Sequence, residues 1–159
     1  MNFHTNLYNT VSDFFECAVI WSHQNAPRPE LPYVTLHQTA FAFLDMPEIL
    51  PVNEEGERYT RQFARISVSI QYMGEDAAHQ LTAFHMMLMA NAPIGNAVKD
   101  AGLVSFSGVA SIPELEENIW VDRALYEPEF LVEIRSEKIE VGFIDQAEIN
   151  PEEPEEEEV

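Results

Sequence analysis

Basic residues are scarce in this chain of 159 residues, which has 8 lysines and arginines against 28 aspartates and glutamates. The formal net charge is −20, and the last nine residues, PEEPEEEEV, supply six of the acids. Without these nine residues the balance is still 22 acids to 8 bases, or −14. Binding to nucleic-acid phosphates requires clustered Lys and Arg. The composition therefore argues against non-specific DNA binding.

Cysteine is almost absent, since Cys17 is the only one. A single cysteine excludes an intrachain disulfide and a cysteine zinc cluster, and it favours a reducing compartment. The sequence starts MNFHTNLYNTVSDFF, which lacks the basic residues and the apolar stretch of a signal peptide. No apolar run approaches the roughly 20 residues that a membrane span needs. We expect a protein made and assembled in the cytoplasm, with no membrane partner.

Catalytic and cofactor motifs are also missing. The chain has no phosphate-binding glycine loop, no dinucleotide turn and no G-x-S-x-G element. His79 and His85 lie on one predicted helix but about 240° apart, so they cannot share a ligand face. Glu75 and His79 do share a face, yet two candidate ligands without a third are typical of an ordinary helix surface. We expect no metal, no cofactor and no enzymatic activity.

The hydrophobic pattern predicts a short helix in residues 5–15 and strands near 17–23 and 32–44. Residues 45–60, with two prolines, a glycine and five acidic residues, are predicted to form an exposed loop. The stretch RQFARISVSIQYM then alternates between polar and apolar positions, which predicts a half-buried strand with one apolar face. That face consists of Ala64, Ile66, Val68, Ile70 and Tyr72.

Further along, EDAAHQLTAFHMMLMANA predicts a helix that ends near Pro93, and IGNAVKDAG predicts a short helix closed by Gly102. The remaining apolar runs predict two or three more strands, and Pro128 indicates a bulge or an edge position. The expected fold class is α+β, a mostly antiparallel β-sheet with two main helices packed on one face. Residues 1–148 form one domain in this interpretation, and the acidic residues 149–159 form a disordered tail.

Three prolines, Pro27, Pro29 and Pro32, stand within six positions directly before a predicted strand. Proline fixes its own φ and biases the preceding residue to extended conformations, so this stretch is expected to be stiff and extended. A rigid connection between two strands explains the prolines. It does not explain why Arg28, one of only eight basic residues in an acidic chain, stands at the apex of that connection. A stiff arm with a cation at its tip is suited to docking a neighbouring copy of the chain.

The segment VIWSHQNAPRPELPYVTL, followed by RQFARISVSIQYMG, a helix, AGLVSFSGV and ENIWVDRALYEPEFLVEI, resembles the neck or tail terminator proteins of tailed phages. The resemblance covers about residues 7–145, in order and without large gaps. Arg123 matches an arginine that commonly precedes the last long strand in these proteins. The most specific part of the match consists of Gln24, Asn25, Pro27, Arg28, Pro29, Pro32 and Tyr33.

This resemblance implies a small α+β subunit of the virion that forms a ring, usually a hexamer, between the tail tube and the head-side connector. Such a ring ends tube polymerisation and offers the head a docking surface, while DNA passes through without specific binding. The matched residues, from Gln24 to Tyr33, are the expected contacts to a neighbouring subunit or to the tube. Arg65 and Arg123 are further candidates for contacting acidic partners, with an ion pair inside the subunit as the alternative.

Two other functions remain open at the level of the sequence. The chain could be a tail-tube or head-completion protein of the same virion, because these also have small α+β folds. It could also be a binding domain or a minor enzyme that forms no ring. A tube protein should polymerise into long cylinders, a terminator should stop at one ring, and a binding domain should stay monomeric.

Overall fold

The computed structural model describes residues 3–25, 27–91, 97–137 and 139–140. In this part of the chain there are two helices, α1 (Phe3–Phe15) and α2 (Ala77–Asn91). The strands are β1 (Ala18–Trp21), β2 (Tyr33–Phe43), β3 (Glu48–Ile49), β4 (Glu57–Arg58), β5 (Thr60–Met73), β6 (Ala101–Phe106), β7 (Ala110–Ser111), β8 (Glu114–Glu116), β9 (Ile119–Val121), β10 (Arg123–Tyr126), β11 (Pro128–Arg135) and β12 (Ile139–Glu140).

The main sheet has eight strands and is built around the long strand β5. One side of β5 pairs with β2 and β3, and the other side pairs with β10 and β11. Beyond these, β6 pairs with β11 and β7 pairs with β10, all antiparallel. Strand β1 pairs with β2 in parallel. The prediction of a mostly antiparallel sheet is therefore confirmed.

The alternating pattern of β5 sets the position of the core. The five apolar residues that alternate along this strand, from Ala64 to Tyr72, are all buried, as the sequence predicts. Because successive side chains of a strand point to opposite faces, this leaves one apolar face against which helices can pack. The face on the other side carries mainly polar residues, among them Arg65, Ser67 and Gln71.

Both helices contribute to the same hydrophobic cluster as the apolar face of β5. Helix α1 buries Leu7 and Val11, and α2 buries Leu81, Phe84 and Leu88. These residues recur every three or four positions, so each helix presents one apolar stripe to the sheet. Each fully buried side chain of this size contributes about 1.5–3 kcal/mol of transfer free energy. The chain thus has the predicted α+β fold.

The region before β6 differs from the prediction. Residues 97–100 form a turn with a bridge between Val98 and Ala101, and Gly102 lies inside β6, so the predicted short helix is wrong for these residues. Asp100 has a φ of 61°, a left-handed conformation that a right-handed helix cannot continue through. Ala101 pairs with Val132 of β11, so sheet pairing overrides local helix propensity. Residues 94–96 of the predicted helix lie outside the described residues.

Other predicted boundaries hold more closely. The predicted strand near 17–23 is reduced to the four residues of β1, and the predicted loop at 45–60 contains the two-residue strands β3 and β4. Pro128 begins β11, and a bulge in the pairing of β11 with β6 follows between Glu129 and Phe130, in line with the prediction. The acidic tail, residues 149–159, lies outside the described residues.

Gly74 ends β5 at the point where the chain turns towards α2. Its φ is +144°, a conformation that L side chains rarely adopt, and its N–H donates to the carbonyl of Asp122 at 2.9 Å. A Cβ added at Gly74 would lie 2.8 Å from the Cβ of Pro32. Glycine is therefore required here both by the backbone and by the close approach of the proline-rich segment.

Substitution of Gly74 by alanine is expected to lower the free energy of unfolding by about 1–3 kcal/mol, because it adds backbone strain and a clash with Pro32. Gly108→Ala is the matched control, since no atom lies within 4 Å of a Cβ at that position. Urea or thermal unfolding followed by circular dichroism measures both variants. Equal stability of the two would contradict this account of Gly74.

Candidate interaction surface

The proline-rich segment is the crossover between two parallel strands. Ala18 of β1 pairs with Tyr33 of β2, and Trp21 pairs with Leu36, so both strands run in the same direction. The chain must therefore return along the pair before β2 can begin. Such crossovers usually contain a helix, but the prolines in residues 22–32 favour an extended path. We call residues 24–33 the proline arm.

Four of the nine predicted interface residues line one cleft of about 450 Å³ beside the arm. They come from two distant parts of the sequence and meet on the polar side of β5, next to Gln71. The structure thus brings the arm and the start of β10 together. The four residues are Gln24, Arg28, Tyr33 and Arg123.

Two arginines connect this cleft to the hairpin formed by β8 and β9. Arg28 in the arm forms an ion pair with Glu116 of β8. Arg123 pairs with Glu114 of the same strand, at 2.8 Å between Nη1 and Oε2. Arg123 also donates from Nε to the side-chain carbonyl of Gln71 in β5 at 3.0 Å. The hairpin is therefore attached to the arm on one side and to the sheet on the other.

Tyr33 lies beneath this network and is only 2% exposed. Burial raises the pKa of its phenol, and the nearby carboxylates Glu116 and Glu114 raise it further while Arg28 and Arg123 lower it. All four charged groups of the two ion pairs therefore lie close enough to Tyr33 to influence the pKa of its phenol. Because its side chain is buried in the subunit, Tyr33 contributes to a surface only by fixing where the arm ends and β2 begins.

The remaining predicted residues lie apart from the cleft or at its rim. Asn25 and Pro27 are exposed on the arm, and Pro29 is half-buried. Pro32 faces a second cleft that also includes Gly74. Arg65 lies on β5 outside both clefts and forms an ion pair with Glu129 at 3.2 Å.

The sequence left an ion pair inside the subunit as the alternative role of Arg65 and Arg123. Both arginines form such a pair, Arg65 with Glu129 and Arg123 with Glu114. Arg65 remains 45% exposed in its side chain and Arg123 is 26% exposed. Residual exposure of this size still permits contact with a partner, so their role at an interface stays a prediction.

Sequence reasoning missed the exposed apolar tip of the β8–β9 hairpin. Glu117 and Asn118 adopt φ values of 45° and 69°, which is the pattern of a two-residue turn. Ile119 and Trp120 follow this turn, and both side chains are exposed. Together with Leu31 of the arm they border the second cleft, whose volume is about 740 Å³. An asparagine between two short apolar runs was the available signal for this hairpin.

Among the described residues, no three His, Cys, Asp or Glu side chains lie close enough together to bind a metal ion. Within the same part of the chain, neither helix is long and apolar enough to cross a membrane.

The arrangement beside the arm consists of ion pairs, an anchored hairpin and exposed apolar residues. These features are suited to contact with another protein.

Comparison with known protein families gives a match that covers nearly the whole chain. The model of a family described as Phage neck terminator protein matches residues 5–155. A search of curated proteins finds no match. One solved structure, known only by a sequence identifier, aligns with 82% of this chain and 89% of its own at 12% identity and a TM-score of 0.39. A likeness at that level supports no conclusion about function.

Arg28 and Arg123, the two arginines that form ion pairs with β8, should differ in their contribution to stability. Arg123→Ala is expected to lower the free energy of unfolding by about 1–3 kcal/mol, because Glu114 and the half-buried Gln71 lose a charged partner. Arg28→Ala is expected to cost less than about 1 kcal/mol, since its side chain is 54% exposed. Urea unfolding of both variants tests this order. A larger loss for Arg28→Ala would contradict it.

Proposed function

Because the chain belongs to the phage neck terminator protein family, we propose that it forms a ring at the head–tail junction that ends the tail tube and joins it to the head-side connector. The family consists of structural proteins of the phage neck. The chain is accordingly a structural component of the virion that associates with tail and head proteins. The match over residues 5–155 is the observation that carries the proposal.

The proline arm is the part of the subunit that we assign to contact with a neighbouring subunit or with the tube. Its prolines and the ion pair between Arg28 and Glu116 restrict its conformation before any partner binds, which lowers the entropy cost of association. The Arg28 guanidinium has five N–H donors, and more than half of its side chain is exposed. Donors not used by Glu116 are thus available to an acidic partner.

The charge of the chain supports passage of DNA without specific binding. The net charge of −20 repels phosphates, and five arginines of the described residues are already paired with glutamates. A ring of such subunits would offer DNA little free positive charge. In this proposal the function is steric, with no chemical step and no cofactor.

The oligomeric state in solution tests this proposal. Light scattering behind a sizing column is expected to give a discrete mass near six times the 18.1 kDa of one chain, and negative-stain microscopy should show closed rings. Long cylinders would identify a tail-tube protein instead. A strict monomer that also fails to bind isolated tail tubes would contradict the proposal and favour a binding domain.

Arg28→Ala provides a separate test of the arm. We expect this variant to keep its fold and to lose most of the ring, because an exposed guanidinium at the contact is removed. Arg135→Ala is the matched control: its side chain is 61% exposed and pairs with a glutamate that is 29% exposed, against 54% and 31% for Arg28 and Glu116. A ring that persists unchanged in Arg28→Ala would exclude this role for Arg28.

A further inference from the structure

The main sheet has an open edge on each side among the described residues. Strand β1 covers only the first four residues of β2, from Tyr33 to Leu36, so His37–Phe43 has no strand on its outer side in the described chain. On the opposite side of the sheet, β11 is the only one of the described strands that pairs with β6. Open edges present unpaired N–H and C=O groups to which another strand can bind.

Both edges also expose apolar side chains. Phe41 and Phe43 are exposed on β2, and their rings contact each other at a centroid distance of 5.1 Å. Val104 and Phe106 are exposed on β6. Natural proteins usually protect such edges with charged residues or proline. Neither His37–Phe43 nor Ala101–Phe106 contains a charged residue or a proline.

The acidity of the chain makes the absence of charge at these two edges informative. Two copies that each carry a net charge of −20 repel one another, so contact is least costly where neither surface carries a carboxylate. Neither edge strand carries a carboxylate of its own, and the Glu129 carboxylate on β11, which accepts a hydrogen bond from Ser105 of β6, is also paired with Arg65. The two edges also offer the same two kinds of contact, which are backbone hydrogen bonds and exposed apolar side chains, so each edge is complementary to the other.

The position of the edges decides what assembly they can form. Strands β5 and β11 lie between β2 and β6, so the edges are separated by about 14 Å and face in opposite directions. One subunit can therefore bind a neighbour at each edge at the same time. A contact between two different surfaces of the same chain is heterologous, and it generates a ring when the rotation closes.

We propose that the open edge of β2 in one subunit pairs with the open edge of β6 in the next, so that the sheet continues from subunit to subunit around the ring. The inference rests on the proposed ring and names the two surfaces that close it. The proline arm leads into β2, the strand that carries the first of these two edges.

Two charge substitutions separate the edges. Phe43→Glu places a carboxylate on the β2 edge, and Val104→Glu places one on the β6 edge; both side chains are about half exposed, at 55% and 46%. Met86→Glu is the control, because Met86 is an exposed apolar residue that lies on helix α2 and belongs to neither edge strand. Thermal unfolding confirms that each variant is folded. We expect Phe43→Glu and Val104→Glu to be monomers and Met86→Glu to form the ring.

Mixing the two edge variants gives the sharpest result. Phe43→Glu retains an intact β6 edge and Val104→Glu retains an intact β2 edge, so an equimolar mixture should form heterodimers and nothing larger. The mass of the mixture by light scattering or native mass spectrometry measures this. Dimers formed by Val104→Glu alone would show that β2 edges pair with each other and would overturn the inference.

The remaining outcomes distinguish this inference from the proposed function. If the wild-type chain forms a ring and either folded edge variant still forms it, the edge contact is overturned and the ring stands. If the edge variants remain complete rings but fail to bind tail tubes, the edges bind a tube strand instead of a second copy, which also overturns the inference. A wild-type chain that forms no ring, alone or with tubes, overturns both.

Discussion

The parallel pairing of β1 with β2 is the constraint on which the interaction surface depends. Since both strands run in the same direction, residues 22–32 must return along the pair, and the prolines keep this return extended. The same return brings Pro32 against Gly74 and Arg28 against Glu116. Because β1 is only four residues long, His37–Phe43 of β2 has no strand on its outer side in the part of the chain that the structure describes. The arm and the open edge are thus two consequences of one short strand.

Much of the fold could be predicted from the sequence, because it follows from local periodicity. The alternating residues of β5 identified the buried face, and the stripes of α1 and α2 identified the helices that cover it. The parallel pair could not be predicted, since nothing within β1 or β2 specifies the direction of its partner. The ion pair of Arg28 with Glu116 joins residues 88 positions apart, so it was equally invisible. The predicted helix fails within residues 97–102 because pairing with β11 outweighs local helix propensity there.

The negative charge of the chain and the lack of charged residues on its two open sheet edges have complementary roles in the proposed assembly. The excess of carboxylates keeps separate chains apart and keeps DNA from binding, so any association must be specific. The edge segments of β2 and β6 contain no Asp, Glu, Lys or Arg and expose apolar side chains, and the arm carries one exposed cation. The arginines on the sheet are paired with glutamates, so they add little free positive charge to the surface. A virion ring that DNA must cross needs this combination of weak non-specific binding and a few defined contacts.

The most direct test of the central claim is electron microscopy of isolated tail tubes after incubation with the purified chain. The account predicts one additional ring-shaped layer at a single end of each tube, and tubes that no longer lengthen when tube subunits are added. Incorporation of the chain into successive layers, or tubes that continue to grow from both ends without such a layer, would contradict it.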